Sequence, residues 1–267
     1  MPMVSANGLE IAYRLDGEGA ETVLLINGLA DEKESWGLQA SAFIEAGYRV
    51  LSLDNRGAGG TTKPAGPYTT RQMADDAKAV VDALGIGEVH LLGFSMGGMI
   101  AQEYALAYGN TLRSLALYAT YAEPGPYCLR LFKTWETLAR SCGMEAAVRD
   151  VLQWCFTPAF YEDQAALARE FDDGVPALNL TAESFLGQLA AIQQHDTADR
   201  LGGIGAPTVV LAGEDDILIP PMQSRRIHDR MAGAEWLTVP GGHAACWEFP
   251  ESFNAAVLDF IGRHRAS

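Results

Sequence analysis

Over the first 120 residues, short apolar runs alternate with stretches whose apolar positions recur every three or four residues. That is the pattern of parallel strands joined by crossover helices. Residues 9–14 alternate as an early strand, and the runs TVLLI (22–26) and YRVLSL (48–53) read as strands with a helix over 36–46 between them. In the segment 70–84, Met73, Ala77, Val80, Val81 and Leu84 fall at helical spacing, with Thr69 or Thr70 as N-cap and Gly85 at the exit. A strand over 89–92 runs into GFSMGG, then a small-residue helix over 99–108 and a strand over 112–118.

From about 121 to 205 the strand-like runs disappear, and Trp, Phe, Leu and Met recur at helical intervals, as in LRLFKTWETLARSCGM and AAVRDVLQWCF. This predicts a helical insertion, entered at Pro124, Gly125 and Pro126 and left at GGIGAP. Alternation resumes with TVVLA, a helix over 225–231, the strand EWLTV and a final amphipathic helix over 251–263. The expectation is one α/β core built from residues 1–120 and 206–267, interrupted by the helical segment 121–205.

Length and composition narrow this further. At about 150 residues per domain, 267 residues fit one large domain or one domain with an insertion. With 48% hydrophobic and 20% charged residues, intrinsic disorder is excluded. A net charge of −15 repels phosphate backbones and anionic headgroups, so nucleic acid and membrane surfaces are excluded as partners and a small, neutral substrate is favoured. The N-terminus lacks the basic flank and apolar stretch of a signal peptide, and no run approaches a membrane span, so a cytoplasmic protein is expected. Cys128, Cys142, Cys155 and Cys246 form no CxxC pair and have no clustered histidines. Four reduced thiols are expected, and no metal site.

Gly93-Phe94-Ser95-Met96-Gly97-Gly98 matches G-x-S-x-G between a predicted strand and a predicted helix. Such a turn lifts the hydroxyl of Ser95 above the sheet edge as a nucleophile. It also aims the Met96 N–H, at the start of the helix, at a developing oxyanion. A serine hydroxyl needs a base, and the base needs an orienting carboxylate. Of five histidines, His90 lies in a strand, His228 in a helix and His264 at the chain end, while His195 lacks a strand-end placement. His243 directly follows the strand EWLTV in a Gly-rich loop and is the candidate base. Asp215 and Asp216 emerge after the strand beginning at Thr208, giving the chain order Ser–Asp–His; Glu123 is an alternative orienter.

With these residues in place, the chain resembles the α/β-hydrolase family over almost its whole length. The markers are NGLA, DNRGAGGTTKP, GFSMGG, GEDDILIP and GGHAACWEFPESF. The resemblance implies a mostly parallel eight-stranded sheet flanked by helices, its second strand antiparallel, with a helical cap inserted after the sixth strand. It selects Asp216 over Asp215 and implies the Leu29 N–H as second oxyanion donor. Two departures stand out: Asn27-Gly28 replaces the commoner His-Gly, and Thr61 occupies a position where Ser is usual. The branch most resembled is that of small carboxylesterases and enol-lactonases, with cofactor-free haloperoxidases and perhydrolases close behind.

The implied reaction is hydrolysis of an ester or lactone through an acyl-enzyme on Ser95, Asp216 and His243, without metal or organic cofactor. Carbon–carbon bond hydrolysis or peracid formation on the same triad, and a slow-turnover ligand receptor, are the alternatives. Met99, Trp135, Trp154 and Trp247 are candidate pocket residues. Of the aromatic set Phe132, Trp135, Trp154 and Phe156, helical spacing predicts that only one or two reach the pocket.

Overall fold

Strand formation follows the period-two pattern closely. In the run TVLLI, Val23 and Leu25 pack into one apolar cluster and Leu24 and Ile26 into another. The same division recurs in Leu115 and Leu117 against Ala116 and Tyr118. A strand apolar on both sides must be covered on both sides, so helices lie over each face of the sheet. Each fully buried Leu or Val side chain contributes roughly 1.5–3 kcal/mol to this core.

The computed structural model describes residues 1–266. Its strands are β1 (Met3–Ala6), β2 (Leu9–Asp16), β3 (Thr22–Ile26), β4 (Arg49–Leu53), β5 (Val89–Phe94), β6 (Leu112–Tyr118), β7 (Thr208–Gly213) and β8 (Glu235–Val239). They form one sheet in the order β1-β2-β4-β3-β5-β6-β7-β8. Pairing is antiparallel between β1 and β2 and between β2 and β4, and parallel from β4 onward. This is the α/β-hydrolase fold.

The helices of the sheet layers are α1 (Gly37–Glu45), α2 (Thr70–Ala83) and α3 (Met96–Tyr108). Between β6 and β7 come five more: α4 (Pro126–Ser141), α5 (Met144–Cys155), α6 (Pro158–Asp163), α7 (Ala165–Gly174) and α8 (Ala182–Gln193). The chain closes with α9 (Pro221–His228), α10 (Ala245–Glu248) and α11 (Pro250–Gly262). Helix α2 begins with a reciprocal cap in which Thr69 and Gln72 satisfy each other's backbone N–H. Among the described residues, no helix is long and apolar enough to cross a membrane.

The helix expected over 225–231 lies earlier, at Pro221–His228, opening on Pro221 in its first turn; two further differences from the sequence expectation have local causes. β1 is absent from the periodicity because four residues with mixed exposure carry no clear alternation. Its signal is instead Asn7-Gly8, where both residues have positive φ (49° and 75°), as a two-residue hairpin turn with strand-matched twist requires. Helix α3 starts at Met96, three residues earlier than its first strongly apolar repeat, because the helix follows the Ser95 turn at once.

The functional consequence of this topology lies at β3. The chain goes from β3 to β4 on one side and later returns to β5 on the other. At such a switch point the loops leaving the carboxyl ends of neighbouring strands diverge and open a crevice. The loop after β3 and the turn after β5 meet there.

Candidate active site

Ser95 sits between β5 and α3 with φ 54° and ψ −117°, a conformation costing a non-glycine residue about 1–3 kcal/mol. The surroundings hold it there. Its N–H donates to the Tyr118 carbonyl at 2.9 Å, and its own carbonyl accepts from Gly98 N and Thr120 Oγ1, each at 2.9 Å. The flanking glycines are required by contact: a Cβ at Gly93 would lie 2.2 Å from the Gly97 oxygen, and one at Gly97 2.0 Å from the Ile26 oxygen. Strand, turn and helix approach at backbone distance.

His243 is carried by the loop after β8. Its Nδ1 lies 2.8 Å from Asp216 Oδ2, and both side chains are buried. The other carboxylate oxygen of Asp216 accepts from Leu218 N at 2.9 Å and Ile219 N at 2.8 Å, so the group is held at both ends. Tyr118 donates its hydroxyl proton to the His243 carbonyl at 2.7 Å. Of the other acids considered, Asp215 is exposed, and Glu123 is exposed and lies 3.7 Å from Arg230. Neither is within hydrogen-bond distance of His243.

The remaining histidines are occupied elsewhere. His90 bonds Ser114 Oγ at 2.8 Å, and burial pushes it down to about 4. His195 lies between Thr70 and Thr197, and burial pushes it down to about 3. Both rings are neutral near pH 7. His228 contacts Asp229 at the surface, and His264 packs on Phe260.

Two backbone N–H groups adjoin this region, one on the residue after Ser95 and one on the cavity-lining Leu29. The Met96 N–H lies in the first turn of α3, where no helical carbonyl precedes it. Among the described residues, neither it nor the Leu29 N–H has a protein acceptor. The loop carrying Leu29 is braced by Asn27, whose Nδ2 donates to the Glu32 carbonyl at 2.6 Å and Ser35 Oγ at 3.0 Å. Its Oδ1 accepts from Trp36 Nε1 at 3.0 Å. Asn27 therefore braces the loop with both ends of its amide. Thr61 likewise suffices in place of Ser: its hydroxyl donates to the Asp54 carbonyl at 2.8 Å and accepts from Ala12 N at 3.0 Å.

The helices between β6 and β7 close over this crevice and leave a cavity of about 370 Å³. Ser95, His243, Leu29, Met99, Trp135 and Trp247 line it, as does Phe132. Trp154 and Phe156 do not. Trp154 turns its indole N–H to Asp150 Oδ2 at 3.1 Å, the same oxygen that accepts from Trp135 at 2.9 Å. Phe156 stacks on Phe160 with centroids 4.3 Å apart.

Three residues absent from the sequence reading bear on the site. Gln188 of α8, fully buried, accepts from Ala30 N at 2.9 Å and donates to the Arg56 carbonyl at 2.9 Å. It ties the inserted helices to the loop carrying Leu29, where Ala30 is held at φ 64°. A signal existed: Gln188 falls on the apolar stripe Phe185, Leu189, Ile192, where a polar residue needs a partner. Glu248 accepts from Gly242 N at 3.1 Å, Thr157 N at 3.0 Å and Thr157 Oγ1 at 2.7 Å, joining the His243 loop to the end of α5. Asp31 lines the cavity, and its carboxyl is pushed up to about 7, chiefly by burial.

The arrangement brings a hydroxyl and an imidazole hydrogen-bonded to a buried carboxylate to one apolar cavity, with the N–H groups of Leu29 and Met96 left without a protein acceptor among the described residues. Comparison with known proteins agrees in kind. The family model described as alpha/beta hydrolase fold matches residues 21–250. A protein of Variovorax paradoxus (strain S110) named "Putative carbamate hydrolase RutD" is 30% identical over 260 residues, covering 96% of this chain and 97% of that protein. The crystal structure of the enol-lactonase from Burkholderia xenovorans LB400 superimposes with TM-score 0.91 at 29% identity, covering 98% and 100% of the two chains. A hydrolase from Pseudomonas aeruginosa PA01 superimposes with TM-score 0.89 at 30% identity, covering 98% of each.

Proposed function

The chain belongs to the α/β-hydrolase fold family, and from that premise we propose that it is a serine hydrolase that cleaves a small carboxylic ester or lactone. The observation that carries the reading is the 2.8 Å Asp216–His243 hydrogen bond set at the same cavity as the strained Ser95 turn. His243 takes the proton of Ser95 as its oxygen attacks the carbonyl carbon. Asp216 keeps the proton of His243 on Nδ1, leaving Nε2 to act as base, and stabilises the imidazolium that forms.

The negative oxygen of the tetrahedral intermediate is received by the Leu29 and Met96 N–H groups, each contributing roughly 3 kcal/mol to the transition state. His243 then protonates the leaving alcohol, and water, activated by the same imidazole, hydrolyses the acyl-enzyme. The relatives support this class of bond: carbamate and enol-lactone, the substrates in their names, are both acyl carbonyls bearing a heteroatom leaving group. Residues 121–205 act as the cap that shapes the acyl pocket and excludes water. The four free cysteines, three of them buried, support a cytoplasmic setting.

The test is a fluorophosphonate label followed by kinetics on a nitrophenyl ester. Labelling at Ser95 and a loss on the order of 10⁶ in kcat for Ser95→Ala are expected for a removed nucleophile. Wild-type rates in Ser95→Ala would refute the mechanism.

A further inference from the structure

The cavity is apolar apart from the catalytic groups and one stretch of the loop after β3. Asp31, Glu32, Glu34 and Ser35 of that loop line it, together with Glu170 of α7. Among the described residues, no Lys or Arg lines it. The one basic residue of the loop, Lys33, is engaged elsewhere, its ammonium fully buried 2.9 Å from Asp54 Oδ2 and 2.9 Å from Glu34 Oε1. Glu34 is thereby compensated, and Glu32 accepts from Asn179 N at 2.8 Å.

Asp31 has no such compensation. Its Oδ1 accepts from the Glu32 N–H and its Oδ2 from the Ser35 hydroxyl, both at 2.9 Å and both neutral donors. The one charge that acts appreciably on it is Glu32, of like sign, and burial outweighs these two hydrogen bonds and a third from the Asn27 side chain to leave its proton held up to about 7. A carboxyl at an otherwise apolar cavity, bonded only by neutral donors and without a cation, lacks the partner that would make its ionisation favourable. A substrate can supply that partner.

We propose that Asp31 is the specificity-determining group of this cavity, selecting acyl groups that carry an ammonium and turning away those that carry a carboxylate. The proposal rests on the hydrolase reading above and adds the charge of the substrate to it. Like charge at contact distance is repelled and opposite charge attracted most where water is excluded, so the discrimination is electrostatic and not steric.

The test uses three nitrophenyl esters of similar length: 4-(trimethylammonio)butanoate, its uncharged isostere 5,5-dimethylhexanoate, and the glutarate hemi-ester. Rates are taken at pH 8.5, where Asp31 is ionised, and normalised to each ester's hydroxide hydrolysis. The expected kcat/KM ratio of cation to anion is at least about 100, shrinking at least about tenfold in Asp31→Asn. A wild-type ratio near one, a preference for the anion, or a ratio that persists in Asp31→Asn overturns the proposal. The wild-type ratio is decisive even if Asp31→Asn fails to fold. Turnover of the uncharged ester through Ser95 with no charge preference sinks this proposal alone, whereas no turnover of any of the three overturns the hydrolase reading itself.

Discussion

Replacing Gln188 with leucine keeps the volume of the side chain but removes the two hydrogen bonds by which that side chain joins α8 to the loops after β3 and β4. The Ala30 N–H, buried, would lose its acceptor, at a cost of about 1–3 kcal/mol; the partly buried Arg56 carbonyl regains some water and adds about 1 kcal/mol or less. The expected destabilisation of about 2–4 kcal/mol leaves a domain of this size folded, with Tm lower by roughly 5–10 °C. The catalytic effect follows from Ala30. At φ 64° it sits in the left-handed region, about 1–2 kcal/mol above a relaxed backbone.

Freed of Gln188, the 29–30 peptide is expected to relax and to shift the adjoining 28–29 peptide, whose N–H is that of Leu29, away from the oxyanion position proposed above. Complete loss of one such donor costs about 10²–10³ in kcat, so partial misplacement should cost about 10–100-fold. KM should stay within about threefold, because the contact is made only in the transition state. Steady-state kinetics on a nitrophenyl ester, with thermal melts of the same samples, measures both. Gln188→Glu at pH 6, where a buried carboxyl is protonated and can both accept from Ala30 and donate to Arg56, should recover most of kcat. A lowered Tm with unchanged kcat would refute the reasoning and reduce Gln188 to a packing residue of the inserted helices.

Two further predictions test the acids of the site. Because Asp31 is raised from the usual 3.8 to about 7 in the folded protein, the native state holds this proton more tightly than the unfolded chain. Stability from this group is therefore full below about pH 4 and lost as pH rises through 7, by up to about 4 kcal/mol at roughly 1.4 kcal/mol per tenfold change in acidity. Asp31→Asn should match wild type at pH 4 and exceed it at pH 8 in denaturant melts; a difference that does not change between these pH values would show that Asp31 ionises normally. Asp216→Asn should lower kcat by about 10⁴ through the wrong His243 tautomer, while Asp215→Asn, one residue away and exposed, should stay within about twofold. Comparable losses in both variants would remove the distinction between the two acids.

Much of the site is legible in the chain because its chemistry is local. A strand, a Gly-flanked serine and a helix within some 20 residues define the Ser95 turn, and the glycines at 93 and 97 are readable as close approaches before any contact is seen. His243 is marked by its place directly after a strand. The choice between Asp215 and Asp216 is not local: adjacent residues on one loop differ only in which carboxylate turns inward to two backbone N–H groups and an imidazole from 27 residues away. The cap aromatics show the same limit, since Trp135 and Trp154 have equal standing at helical spacing and are separated by the bonds to Asp150 and the side on which each ring packs.

The alternation of apolar runs was enough to specify a parallel α/β core with a helical interruption, because period two and period 3.6 are set by backbone geometry alone. The short spacing around Ser95 and the strand-end positions of His243 and the acidic loop pointed to a hydrolase, the level at which the known relatives agree. The closure of the cavity and the brace of the loop after β3 came from contacts distant in the chain, as between Ala30 and Gln188, 158 residues apart. No local pattern encodes such a pairing, for it depends on which face of α8 descends onto the crevice, and that is settled by packing.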